Sequence, residues 1–171
     1  MAQTTFSGPV KSLAGFISAG VSNSVTTAVG ATLNVASFAG KQIYYTSTAT
    51  ATFTLPAVNT SSPSDVTDPN QSNNYGAAFE FVLSTTVTGN FIVKVANASD
   101  TMVGTAILGS GTTALVFITA TASDTITLSG TTTGGVGGAS VKATVIGANR
   151  YKVEVVSGAT GAVATPFSAT V

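Results

Sequence analysis

The sequence predicts an all-β fold: an antiparallel β-sandwich, or a jelly-roll-like or β-barrel domain, with an extended N-terminal arm. Thr, Val, Ile, Phe and Tyr recur in short runs separated by Gly, Pro, Asn and Ser, and no window holds apolar residues at helical spacing over several turns. Apolar residues make up 44% of the 171 residues, which is enough to bury a core. We expect residues 1–30 to form the arm and residues 31–171 to form a single β domain.

Strands are expected first at residues 42–45 and then at residues 50–55, where a proline follows and ends the pairing because it cannot donate to a sheet ladder. Tyr44 and Tyr45 are adjacent in the first of these strands, so one should face the core and the other should be exposed. Residues 57–76 concentrate Ser, Asn, Asp and Pro, which predicts a long surface loop.

A hairpin is predicted within residues 76–97, with its turn near Val87. That register places Glu80 opposite Lys94. The apolar positions around this pair are Phe79, Phe81, Ile92 and Val95. We expect the ion pair to be exposed and to contribute well under about 1 kcal/mol.

A second hairpin is predicted by the segment SVKATVIGANRYKVEVV, residues 140–156, with residues 147–149 as the turn. One register makes one face apolar and the other polar, as a half-buried antiparallel pair needs. On the apolar face it pairs Val145 with Tyr151, Ala143 with Val153 and Val141 with Val155. On the polar face it pairs Lys142 with Glu154 and Thr144 with Lys152, again as exposed groups.

Two further strands, ALVFITA at 114–120 and DTITLSG at 124–130, precede the glycine-rich stretch TTTGGVGG at 131–138. A glycine-rich loop can bind phosphate through backbone N–H groups, but this use needs a helix after the loop and a basic or hydroxyl side chain at a set offset. Here the next strand begins near Ala139, and no lysine stands at the usual position. The glycines are therefore predicted to turn the chain as a hairpin or loop tip.

The composition argues against an enzyme. Histidine and cysteine are absent, which removes the usual general base near neutral pH, thiolate metal ligands and disulfides, and no cofactor is expected. The carboxylates available for glycoside hydrolysis are Asp65, Asp68, Glu80, Asp100, Asp124 and Glu154. Asp100 and Asp124 each precede a predicted strand, where aspartate typically forms turns, so we expect no catalytic residue.

Oxygen ligands suited to calcium occur together in the predicted long loop, at Asp65, Asp68, Asn70 and Asn73. Their spacing matches no EF-hand, and Pro69 interrupts the run. A solvated loop is favoured over a metal site.

The low charge limits the possible partners. Six basic and six acidic residues give a net charge of zero, so no basic surface is available for nucleic acid. The longest apolar stretch, residues 114–122, is interrupted by Thr and is too short to span a membrane. Because the first residues lack the pattern of a secretory signal, we expect cytoplasmic synthesis without export. Little repulsion acts between copies of a neutral chain, which suits a protein within an assembly.

Several segments together resemble the virion proteins of tailed phages. They are FSGPVKSLAGF at 6–16, GKQIYYTSTATATFTLPA at 40–57, FEFVL at 79–83, GNFIVKVANASDTMVGT at 89–105, DTITLSGTTTGG at 124–135 and NRYKVEVVSGATGAVATPF at 149–167. The resemblance implies a non-enzymatic head decoration or cement protein, located on the capsid surface of the virion. It further implies the major capsid protein as partner and a homotrimer as the assembly.

A decoration protein would use the predicted arm to contact the capsid or a neighbouring copy. The apolar anchors available between residues 4 and 18 are Phe6, Pro9, Leu13 and Phe16. The alternative for these residues is a disordered segment or one that covers the core of its own domain. The alternative function is a head-fibre, tail or host-attachment module that binds surface carbohydrate through the 57–76 loop or the glycine tip.

Overall fold

A computed structural model describes residues 24–60 and 73–171, in which eleven strands and one helical turn follow one another along the chain. The elements are β1 (Ser24–Thr27), α1 (Val35–Phe38), β2 (Gln42–Tyr45), β3 (Ala51–Thr54), β4 (Ala78–Leu83), β5 (Asn90–Lys94), β6 (Thr101–Ser110), β7 (Thr113–Ile118), β8 (Thr125–Ser129), β9 (Ser140–Gly147), β10 (Arg150–Gly158) and β11 (Phe167–Ser168). Asn34 caps the helical turn, since its side chain accepts a hydrogen bond from the Ser37 N–H.

The strands form two sheets, which confirms the all-β prediction. The larger sheet has the order β1-β2-β4-β9-β10-β6-β7, and the smaller sheet has the order β11-β8-β5-β3. The sheets are mixed rather than antiparallel throughout: β1–β2, β2–β4, β6–β10 and β3–β5 are parallel pairs. Parallel neighbours need a crossover connection. Between β2 and β4, and between β3 and β5, the crossover includes a strand of the other sheet.

The core lies between the two sheets, and four aromatic rings form its centre. Tyr45 and Phe81 come from the larger sheet, Phe53 and Phe91 come from the smaller sheet, and all four are buried. The contacting ring centroids are 5.3 to 6.1 Å apart in tilted or edge-to-face arrangements, which aromatic rings prefer. The Tyr45 hydroxyl donates to the Ala49 carbonyl oxygen at 2.7 Å, so its polar end is satisfied within the core.

The strands predicted at residues 42–45 and 50–55 are confirmed as β2 and β3. Tyr45 faces the core, as one of the two adjacent tyrosines must. Tyr44 points to the opposite face, where it is half-buried and its hydroxyl donates to the Gln42 side-chain oxygen. The strand period of two therefore separates the two tyrosines as predicted.

The hairpin predicted within residues 140–156 is confirmed in its register. β9 and β10 pair antiparallel, with Val145 opposite Tyr151, Ala143 opposite Val153, Val141 opposite Val155, Lys142 opposite Glu154 and Thr144 opposite Lys152. In the turn Asn149 has a φ of 54°, a left-handed conformation that asparagine tolerates better than most residues.

The hairpin predicted within residues 76–97 is wrong. β4 and β5 lie in different sheets, so the connection between them crosses the sandwich instead of reversing within one sheet. Glu80 lies opposite Gln42 and Lys142 in the larger sheet, whereas Lys94 belongs to the smaller sheet. Alternation of buried and exposed residues identifies the buried face of a strand, but it is the same for strands that pair and for strands that face each other across a core.

Gly104 and Gly109, both in β6, offer a matched test of the close pairing between β6 and β10. A Cβ atom added at Gly104 would lie 1.8 Å from the carbonyl oxygen of Val153 in β10, whereas one added at Gly109 would meet nothing closer than 4.0 Å. We expect Gly104→Ala to lower the free energy of unfolding by about 2–3 kcal/mol, because the two backbones must move apart. Gly109→Ala should change it by less than about 1 kcal/mol. Urea denaturation followed by circular dichroism measures both, and equal effects would contradict this packing.

Candidate functional site

Asp100 is buried and holds neighbouring loops together. Its carboxylate accepts hydrogen bonds from the Val58 N–H and from the Asn97 side-chain amide, each at 3.0 Å. Nearby, the Tyr151 hydroxyl donates to the Pro56 carbonyl oxygen at 2.6 Å. Burial raises the pKa of Tyr151, and the negative charge of Asp100 adds to that effect. These contacts give Asp100 the structural role in a turn that the sequence predicts.

Asp124 is also buried, and it ties the chain after β11 to the start of β8. Its carboxylate accepts hydrogen bonds from the Thr125 hydroxyl at 2.8 Å, the Thr170 N–H at 2.8 Å and the Val171 N–H at 3.2 Å. Burial acts to raise the pKa of Asp124, but these hydrogen bonds to the charged form outweigh it, so the pKa lies below its ordinary value of 3.8. The carboxylate is therefore ionised and structural at neutral pH.

The other two described carboxylates lie on the outer face of the larger sheet. Glu80 accepts a hydrogen bond from the Gln42 side chain at 2.8 Å. Glu154 pairs with Lys152 along β10 at 2.6 Å, although Lys142 lies opposite it in the predicted register. The hydrogen bond and the charge of Lys152 lower the pKa of Glu154. Because both members of the ion pair are about half exposed, solvent screens it and it adds little stability.

The 57–76 loop is described only at its two ends. Outside the described residues lie three of the four calcium-ligand candidates, Asp65, Asp68 and Asn70. The fourth, Asn73, donates to the Thr60 carbonyl oxygen at 2.6 Å and accepts from the Tyr75 N–H at 2.8 Å. Within residues 24–60 and 73–171, no three side chains of His, Cys, Asp or Glu are grouped so as to hold a metal ion.

The glycine-rich stretch at residues 131–138 connects β8 to β9 and carries the chain from the smaller sheet to the larger one. It joins two strands as predicted, but it is a crossing between sheets and not a hairpin. Gly134 and Gly135 are buried, and Cβ atoms there would lie 2.6 Å from the Leu108 side chain and 2.5 Å from the Val87 side chain. The glycines therefore let the backbone pass close to core side chains, and a strand follows them where a phosphate loop would have a helix.

The outer face of the larger sheet has a charged part and an apolar part, which meet where Lys152 lies opposite Val103. Lys142 on β9, with Lys152 and Glu154 on β10, forms the charged part. The apolar part extends across β10, β6 and β7 and is called the apolar face below. It consists of Val103, Ile107, Val116, Ile118 and Val156, whose exposed fractions range from 42% to 75%.

The strand register places three of the five members of the apolar face side by side. Val156 lies opposite Ile107, which lies opposite Val116, so three side chains form one row across three strands. Side chains at opposite positions of neighbouring strands are close enough to contact each other. On the other side of β7, Phe117 packs against the core but Leu115 is 43% exposed, so this strand is only partly covered. A contiguous exposed apolar patch of this kind is typical of an interaction surface.

The sequence predicts a strand at residues 114–120 but does not predict that its side chains form part of an exposed apolar face. The available signal is that ALVFI is apolar at successive positions instead of alternating with polar residues. Such a strand exposes apolar side chains unless both of its faces are covered. The position of β7 at the end of the larger sheet, where it is only partly covered, follows only from the topology.

The predicted contact residues Phe6, Pro9, Leu13 and Phe16 lie outside the described residues. The described part of the predicted arm begins at Ser24, where the chain forms β1 and pairs in parallel with β2.

Comparison with known proteins finds no match to this chain among protein-family models, curated proteins or solved structures. In the described part of the chain, no helix has the length and apolar character needed to cross a membrane.

Asp124→Asn should destabilise the protein in a pH-dependent way. At pH 7 we expect a loss of about 1–3 kcal/mol in the free energy of unfolding, because the ionised acceptor of three hydrogen bonds is removed. The folded-state pKa lies below the unfolded one, so this contribution is present above pH 3.8 and is lost as pH falls through the folded-state pKa. Denaturation curves between pH 3 and pH 7 measure the difference. Glu154→Gln, at an exposed carboxylate, is the control and should have a much smaller effect; a constant difference for Asp124→Asn across this range would contradict the assignment.

Proposed function

We propose that this chain is a non-enzymatic structural protein of a tailed-phage particle that binds the outside of the capsid lattice and stabilises it. Its partner is the major capsid protein. Such a protein binds the assembled lattice better than the free capsid subunits, and it therefore stabilises the lattice by mass action without chemistry. Support comes from the segments that resemble phage virion proteins and from the apolar face.

The apolar face is the main structural support for capsid binding. Its five side chains are exposed on strands of a well-packed domain, and covering them would remove apolar surface from water at about 25 cal/mol per Å². The adjoining charged part, with Lys142, Lys152 and Glu154, is suited to stay in contact with solvent. A domain with such a divided face binds a larger assembly in one orientation, which is what a lattice-binding protein needs.

Immunogold labelling locates the protein on the particle. We expect gold distributed over the whole head when virus particles from cultures that produce this chain are labelled with an antibody against it, since a lattice-binding protein occupies many equivalent sites. Particles whose heads are free of gold would contradict capsid decoration. Gold confined to the tail or to one vertex would favour the attachment function instead.

The predicted arm should contribute to capsid binding. We expect a chain without residues 1–20 to bind purified capsids at least about tenfold more weakly, because apolar anchors dominate interfaces of this kind. Co-sedimentation with capsids measures the affinity, and circular dichroism checks that the β fold is retained. Two variants of the full-length chain separate the effect of losing apolar side chains from the effect of shortening the chain. The double variant Phe6→Ser with Phe16→Ser should weaken capsid binding, whereas Ser7→Ala with Ser12→Ala should not. Undiminished binding of the truncated chain would contradict the role of the arm and leave capsid binding itself in place.

A host-attachment module that binds surface carbohydrate is the second candidate. The observation in its favour is Tyr75, which is 65% exposed at the end of the 57–76 loop, beside the hydrogen-bonding amide of Asn73. Exposed aromatic rings next to amide side chains can pack against sugar rings and bond their hydroxyls. Saturable binding of the purified protein to a glycan array, reduced by Tyr75→Ala, is the result that this candidate requires.

A further inference from the structure

The sheet edges of the described residues differ in how they are protected. In the smaller sheet, the edge strand β11 has only two residues. The other edge strand, β3, is covered by residues 31–33. The Leu33 N–H donates to the Thr54 carbonyl oxygen, and the Thr54 N–H donates to the Ala31 carbonyl oxygen. In the larger sheet β1 has four residues, whereas β7 has six. β7 contains no charged residue and no proline, which are common devices against edge-to-edge pairing.

The hydrogen bonds of β7 show which of its backbone groups face the open edge. The Thr119 N–H, just after β7, donates to the Gly104 carbonyl oxygen at 3.1 Å in continuation of the β6–β7 register. Backbone groups alternate in direction along an antiparallel strand. Thr113, Leu115 and Phe117 therefore bond β6, while Ala114, Val116 and Ile118 direct their N–H and C=O groups away from it.

The residues with free backbone groups are the same residues whose side chains lie on the outer face. Val116 is 63% exposed and Ile118 is 75% exposed. An occupant of this edge must therefore supply a strand for the backbone and an apolar surface for the side chains. A second copy of β7 supplies both, and neither copy brings a charge to the contact.

We infer that β7 pairs antiparallel with β7 of a second copy about a twofold axis, so that the two seven-stranded sheets become one continuous sheet. In the register centred on Val116, this residue lies opposite itself, and Ala114 lies opposite Ile118 of the second copy. The row formed by Val156, Ile107 and Val116 in one copy then continues across the axis into the same row of the second copy. Zero net charge leaves no long-range repulsion between the two copies.

This dimer is independent of capsid binding, because it concerns the isolated protein. It also differs from the trimer that the resemblance implies, since pairing of an edge with itself closes at two copies. The measured mass therefore distinguishes the two.

A charge exchange at the twofold axis tests the pairing on the full chain. Light scattering after size exclusion, from about 10 µM to about 500 µM protein, should show a dimer that dissociates on dilution. Val116→Lys places two lysines directly opposite each other, so we expect at least about tenfold weaker association. Val116→Glu should behave in the same way. Mixing the two variants should restore the dimer, because each lysine then faces a glutamate, and this rescue excludes misfolding as the cause.

Val29→Lys is the matched control, since Val29 is also an exposed valine, with an exposed fraction of 70%, but lies away from β7. It should leave the dimer intact. Amide hydrogen exchange adds a backbone measurement: Ala114, Val116 and Ile118 should be protected in the dimer and lose protection in Val116→Lys, while Leu115 and Phe117 stay protected. A monomer at all concentrations, a trimer, a dimer insensitive to Val116→Lys, or protection of the edge amides in a monomer would each overturn the inference. All of these results are independent of the location of the protein on the particle, which immunogold labelling measures.

Discussion

The whole arrangement depends on the contact between aromatic rings of the two sheets. Tyr45 and Phe81 on neighbouring strands of the larger sheet meet Phe53 and Phe91 on neighbouring strands of the smaller one. Burying four large rings in one cluster removes a large apolar surface from water, and the rings contact one another in tilted and edge-to-face arrangements. The ring cluster thereby fixes the position of each of these four strands along its own direction, as well as the face that it turns to the core.

The order of these four strands along the chain explains the mixed sheets. β2, β3, β4 and β5 alternate between the larger and the smaller sheet, so every connection crosses the core and the next strand in the same sheet runs parallel to the last. A hairpin would keep both strands in one sheet and leave their rings without a partner across the sandwich. After β5 the chain forms hairpins, β6–β7 and β9–β10, and extends the larger sheet beyond the reach of the smaller one. The exposed outer edge of β7 and its partly covered inner face are the consequence of this unequal extension.

The sequence predicts local pairing well and distant pairing poorly. For β9 and β10, the apolar and charged positions require the same register, so the five predicted pairs are correct. The turn is shorter than predicted, because Gly147 belongs to β9 and pairs with Arg150, and the register shifts between Arg150 and Tyr151. For β4 and β5, the same alternation of Phe79, Phe81 and Phe91 fits either a hairpin or two facing sheets, and only the partners from distant strands decide between them. The structural roles of Asp100 and Asp124 are predictable from their positions before strands. The apolar face is not, because Val156, Ile107 and Val116 are distant in sequence and are joined only by strand order.

Low charge and a bare strand edge are connected properties of this chain. With five lysines and one arginine in 171 residues, few charges are available to protect sheet edges, and within the described residues β6 and β7 contain none of them. The polar side chains on this part of the sheet are threonine and serine, which hydrogen-bond to water but do not repel another strand. An exposed strand edge without charges is a template for pairing with another strand. The bare edge of β7 and the proposed existence within an assembly therefore fit the same low-charge composition.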